Sequence, residues 1–219
     1  KVQSRVIRER LLRVQEALRW KQRDFLELLP LLFHMNHPML PGYVSKDAPS
    51  GISDYTPSQK SLEAAKRFSK AFEFKKRALR THDIHAIFIM GSSGTVAYSE
   101  KSDFDIWLCH RPDLTPAQTI ELRKKALAVE EWSAVLGLEV HFFLMNAETF
   151  KRGEVVDLDS ESSGTAQHHL LLEEFYRTGL YVAGRHPAWW LVPPEHEADY
   201  DKHLEGLITR RFVSVNEII

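Results

Sequence analysis

The chain has 219 residues, 43% of them hydrophobic and 27% charged, with ten glycines and ten prolines. This excludes collagen-like, low-complexity and wholly disordered chains, and the length allows a core that buries roughly 70% of the unfolded surface. Lys and Arg number 29 against 30 Asp and Glu, a net charge of −1, so no bulk positive field exists to hold a polyanion and no nucleic-acid partner is expected. The single cysteine, Cys109, cannot make an internal disulfide, and no apolar run approaches the roughly 20 residues that span a bilayer. The N-terminus, KVQSRVIRERLLRVQEALRW, is too charged for a signal peptide, so the expected location is the cytoplasm.

In chain order, Val2, Val6, Leu11, Leu12, Val14, Leu18, Phe25 and Leu29 fall near helical spacing and predict one or two amphipathic helices over 2–29. Residues 36–57 hold Pro38, Pro41, Pro49 and Pro57 with Gly42 and Gly51, and read as a long ordered loop or a linker. A second helix is expected over 58–80, basic in its second half. The texture then changes. Ile84–Met90 is a β-branched and aromatic run that stops at Gly91, Phe104–Cys109 reads as a second strand, and 116–136 as a helix ending at Gly137. Leu138–Met145 is a third strand. An acidic, Ser/Gly-rich loop is expected over 151–165, a helix over 166–183, then a Trp/Pro segment and a polar helical tail. The fold class is α+β with an α/β-like core: a small mixed sheet flanked by helices, with helical additions at both ends. The division expected is 1–80 helical with the Pro-rich loop, 81–150 core, and 151–219 helical.

The chemistry concentrates between Met90 and Ile106. Strand alternation puts Asp103 and Asp105 on one face with Cα atoms about 7 Å apart. Carboxylates so placed can share divalent cations, which in two-metal sites lie roughly 3.5–4 Å apart. Phe104, Ile106 and Leu108 point the other way, into the core. The turn at Gly91, Ser92 and Ser93 offers backbone N–H groups and hydroxyls to phosphate oxygens. Glu139, between Leu138 and Val140, offers a third carboxylate and shares its strand face with His141. The bland alternative is a buried turn followed by two solvent-facing strand aspartates.

Met90-Gly91-Ser92, ten residues, then Asp103-Phe104-Asp105-Ile106 resembles the DNA polymerase β-type nucleotidyltransferase signature. The wider stretch MGSSGTVAYSEKSDFDIWLCH resembles the catalytic segment of the class I adenylate cyclases. The likeness continues through LLPLLFHMNHPMLPGY (28–43), SGISDYTP (50–57), GLEVHFFLMN (137–146) and GTAQHHLLLEEFYRTGLYVAG (164–184). That resemblance implies conversion of ATP to 3′,5′-cyclic AMP and pyrophosphate, with Mg²⁺ as cofactor, two ions, and Mn²⁺ able to substitute. It implies Asp103 and Asp105 as metal ligands, with Glu139 as a weaker third. Ser92, with Gly91 and Ser93, would contact phosphate, and Ser102, Trp107 and His168 would line the substrate pocket. Full-length members are far longer, which implies a regulatory C-terminal region and a sugar-transport regulator acting through it.

Two rivals share the core motif: a transferase moving a nucleotide to a separate acceptor, and an inactive nucleotide-binding regulatory module. The pairs His34/His37, His82/His85 and His168/His169 suggest zinc, but no cysteine pair or HExxH accompanies them, and ordinary hydrogen-bonded histidines are expected. Cys109, inside a strand, reads as a small buried hydrophobe.

Overall fold

The computed structural model describes residues 20–75, 81–90, 102–146, 148, 156–157, 179–186 and 199–210, with backbone alone at 20–22, 102–103, 156–157 and 200. Helix α1 runs Trp20–His34, α2 Gln59–Phe68, α3 Pro116–Val135 and α4 Tyr200–Thr209. The strands are β1 Ile84–Met90, β2 Ser102–His110, β3 Leu138–Met145, β4 Val156–Asp157 and β5 Leu180–Gly184. They form one mixed sheet in the order β4-β3-β2-β1-β5. Only β2 and β3 run parallel; β1 is antiparallel to both β2 and β5, and β4 is antiparallel to β3. This is the α+β arrangement that the alternation of strand and helix patterns predicts.

The crossover between β2 and β3 is α3, and its limits follow from local chemistry. Thr115 caps it in a reciprocal box with Gln118, Pro116 opens the first turn, and Gly137 at φ +78° ends it. Leu122, Lys125, Ala126, Val129 and Ser133 form its buried stripe at helical spacing. That stripe meets Phe104, Ile106, Leu108, Val140 and Phe142 from the sheet, together with Phe25, Leu29 and Phe33 of α1 and Ala64 and Ala65 of α2. Phe33 and Phe142 have ring centroids 5.3 Å apart at the centre of this layer. Three helices therefore cover one face of the sheet.

Three expectations need correction. The helix predicted over 58–80 stops at Phe68. Ser58 caps its start, but Ser69 is extended (φ −137°, ψ 109°) and the chain folds back to bury Phe72 edge-on against His37. Burying that ring outweighs continuing a polar helix. The helix predicted over 166–183 does not reach its end, because Leu180–Gly184 is a strand on the open edge of β1. Leu180 and Ala183 enter the core, and Gly184 at φ +98° lies so close to His85 O that no Cβ fits. The rest of that segment lies outside the described residues. Within 151–165, Val156–Asp157 pairs with β3 rather than forming loop, and its neighbours are outside the described residues.

The Pro-rich stretch is no linker. Gly51 N donates to Phe33 O, Ile52 N to His34 Nδ1, and Ser53 N to Ile84 O, fastening it to α1 and β1. On its other side Lys125, 1% exposed, donates through Nζ to Asn36 Oδ1 (3.2 Å) and Gly42 O (3.5 Å), above the Phe33 ring. Asn36 Nδ2 donates to Ser45 O at 2.6 Å, and Ser45 Oγ donates to Glu121. Gly42 has φ +78° and no room for a Cβ beside Val129, which lets the loop press against α3.

Burial pushes the Lys125 ammonium down to about 8. The unfolded chain holds this proton up to about 10.4, so between pH 8 and 10 the unfolded state binds more protons and stability rises with pH. The gain should be about 3 kcal/mol across that window. Because the raised Cys109 thiol opposes this rise in both chains, urea titrations from pH 7.5 to 10.5 should show it as a growing stability of the native chain relative to Lys125→Met; parallel curves would contradict the burial of a charge.

Candidate active site

The face of the sheet away from the three helices is graded along its strands. The β2–β3 register sets Asp103 beside Glu139, Asp105 beside His141, Trp107 beside Phe143 and Cys109 beside Met145. Across β1, Met90 pairs with Asp105 and Phe88 with Trp107. The sheet thus runs from carboxylates at one end to an apolar floor at the other. Ala86, Phe88, Met90, Trp107, Cys109, Phe143 and Met145 form that floor as a second buried cluster, with Tyr181 packed against it. Trp107 is fully buried, 6.2 Å from the Phe143 ring, so among the expected pocket residues it supports the polar end from below.

At the polar end, Asp105 is half-buried, and Glu139 keeps 56% of its side chain in solvent. Glu139 Oε1 lies 3.5 Å from His141 Nε2, whose side chain is 43% exposed. Asp103 and Ser102 are placed by backbone only, Ser102 beside Leu138 one register step before Asp103. Gly91, Ser92, Ser93 and His168 lie outside the described residues. Parallel pairing explains why three acidic positions converge. Both strands enter the sheet at the same end, so an acidic start to each brings the acids together. His141 on the same face was visible from strand alternation, but its place beside Asp105 depends on register.

Carboxylate oxygens are the donors that hard divalent cations such as Mg²⁺ take, so the donor chemistry fits such an ion. Among the described residues no group of three His, Cys, Asp or Glu side chains is close enough to hold a metal, a set that does not include the Asp103 side chain. Of the histidines considered for zinc, His34 and His37 have structural partners, and His168 and His169 lie outside the described residues. His34 Nδ1 accepts from Ile52 N, and His37 Nδ1 accepts from Met39 N. His85 is held down to about 4, by burial first and then by the Arg185 and His110 charges. Cys109 sits in the floor with its thiol pushed up to about 12 by burial, as a small hydrophobe does.

The family model described as the adenylate cyclase NT domain matches residues 1–190. The chain belongs to this family. Curated relatives named adenylate cyclase include one from Salmonella typhimurium, 37% identical over 197 residues, and one from Escherichia coli K12, 36% identical over the same length. Each alignment covers 87% of this chain and 23% of the relative. A Pasteurella multocida adenylate cyclase is 34% identical over 220 residues, 94% of this chain and 26% of that protein. The chain thus spans about a quarter of the length of these relatives. No solved structure matches. No helix among the described residues is long and apolar enough to cross a membrane.

Within this adenylate cyclase NT domain the apolar floor underlies the strand rungs that carry Asp105 and Glu139. Trp107→Ala should therefore cost about 3–5 kcal/mol of stability, the usual range for emptying a buried aromatic site. Trp107→Phe should keep most of it. Denaturant midpoints of the two variants check this; equal midpoints for Ala and the native chain would remove Trp107 from the floor.

Proposed function

We propose that this chain is the catalytic part of an adenylate cyclase, converting ATP to 3′,5′-cyclic AMP and pyrophosphate. The observation that supports it most is the β2–β3 register, which sets Asp103 beside Glu139 two residues before Asp105, in a chain of the adenylate cyclase NT domain family. In this reading Asp103, Asp105 and Glu139 hold Mg²⁺. Two such ions, with Mn²⁺ able to replace them, would when bound supply positive charge for the attacking ribose 3′-hydroxyl and the departing pyrophosphate.

The chain's own residues supply position. Asp105, half-buried and in register between Met90 of β1 and His141 of β3, places its carboxylate at the polar end of the sheet face. In the same reading Gly91, Ser92 and Ser93, which follow β1 in sequence, receive the triphosphate through backbone N–H groups and hydroxyls, and Ser102 at the start of β2 contributes to the same pocket. His168 belongs to the nucleotide pocket. Because nucleophile and electrophile lie in one molecule, no acceptor site is required, and the protein has mainly to hold the ribose for in-line attack. By the same reading the protein works in the cytoplasm, and the longer protein carries a C-terminal region through which a sugar-transport regulator acts.

Incubating the chain with ATP and Mg²⁺, without any acceptor, should give cyclic AMP and pyrophosphate. Asp105→Asn should lower that rate on the order of 10³-fold, since it withdraws a negative charge from the metal site. Chromatography of the products decides. An Asp105→Asn chain that keeps more than about a tenth of native turnover, or products that appear only with an added acceptor, would sink this reading.

A further inference from the structure

His141 occupies the register position beside Asp105 on β3, two residues after Glu139. It shares with Asp105 the rung where the carboxylates give way to the Trp107–Phe143 floor. Its Nε2 lies 3.5 Å from Glu139 Oε1, and neither side chain is held by burial, at 43% and 56% exposure. A glutamate this exposed samples several rotamers, and most of them turn its carboxylate into solvent. An imidazole this close to one oxygen restricts those rotamers and leaves the second oxygen available to a metal ion. Carboxylates that ligate metals are commonly held from behind in this way.

We propose that His141 is a positioning residue of the carboxylate site, holding Glu139 through Nε2 from the rung beside Asp105. The inference rests on the carboxylate reading of the site and adds a residue to it. His141 acts on the shape of the acidic cluster and touches no reacting atom. Its loss lowers affinity for a divalent ion by letting Glu139 swing away, and it acts only while Glu139 is a carboxylate. A glutamine at 141, which still offers an N–H donor, replaces part of the function, and an alanine replaces none.

The test uses Mn²⁺ alone as probe, by calorimetry on the 219-residue chain, with thermal melts to match the fold. His141→Ala should weaken Mn²⁺ binding about tenfold, the lower range for a residue that supports a metal ligand, and His141→Gln should recover most of it. In a Glu139→Gln background the His141→Ala change should add nothing. In cyclase assays His141→Ala should lower kcat and leave the ATP KM within a few-fold. Should the alanine variant melt early, His141→Asn, which keeps polarity but shortens the reach, takes its place. Native Mn²⁺ affinity in His141→Ala, or a further tenfold loss on top of Glu139→Gln, overturns the proposal. Asp105→Asn separates the two levels: if it loses Mn²⁺ while His141→Ala does not, only the His141 role falls. If Asp105→Asn binds Mn²⁺ normally, the carboxylate reading falls and the His141 role with it.

Discussion

The parallel register of β2 against β3 is the constraint on which the rest depends. Each strand carries two incompatible faces. Phe104, Ile106 and Leu108 on β2 and Val140, Phe142 and Leu144 on β3 lie among the helices. The alternate positions run from Asp105 and His141 to Trp107, Phe143, Cys109 and Met145. A slip of one residue in either strand would turn every side chain over. Asp105 would then enter the Phe33–Phe142 layer as an unpaired buried carboxylate, at a cost of several kcal/mol. Hydrophobic burial on one face and the apolar floor on the other therefore both select the register that brings the acidic strand ends side by side.

What holds that register rigid lies on the helical side. Glu130 of α3 accepts a 2.7 Å hydrogen bond from Phe142 N, taking up a backbone donor of β3 from the crossover helix itself. Arg111, just past β2, pairs with Asp83 just before β1 at 2.7 Å, and Asp83 also accepts from Ser50 N at 3.0 Å. The ends of two strands and the Pro-rich strap are thus joined through one carboxylate. Lys125 fastens the other end of the strap by donating, among the described residues, to the neutral oxygens Asn36 Oδ1 and Gly42 O. Holding a charge there without a carboxylate costs desolvation, which the carbonyl contacts and the Phe33 ring offset in part.

The three central strands were legible because each is short, apolar and bounded by turn residues, and the structure shifts their ends by no more than two residues. The long crossover helix was legible for the opposite reason, since Thr115, Pro116 and Gly137 mark its limits chemically. The helices that ran too far share one cause. In 58–80 and 166–183 the expected helix fails where distant partners take over. Phe72 found His37, and Leu180 found the open edge of β1. The strap was read as loop or linker because proline density marks broken secondary structure and says nothing about packing. Lys125 could have been found, as it shares helical spacing with Leu122, Ala126 and Val129.

By itself the sequence determined the fold class, the strand faces, the pairing of Asp103 with Asp105 at alternate positions, and the family likeness. These are local properties: side-chain period, turn chemistry and the order of residues along one strand. It placed Glu139 on a face of its own strand but not beside any particular aspartate. Only the tertiary structure decided that Glu139 stands opposite Asp103 and His141 opposite Asp105, because strand order and register are set by contacts far apart in the chain. The tertiary structure alone also showed Trp107, expected to line the substrate pocket, buried in the apolar cluster below the acidic end. Alternation fixes which way a side chain points, whereas burial depends on what the rest of the chain lays over it.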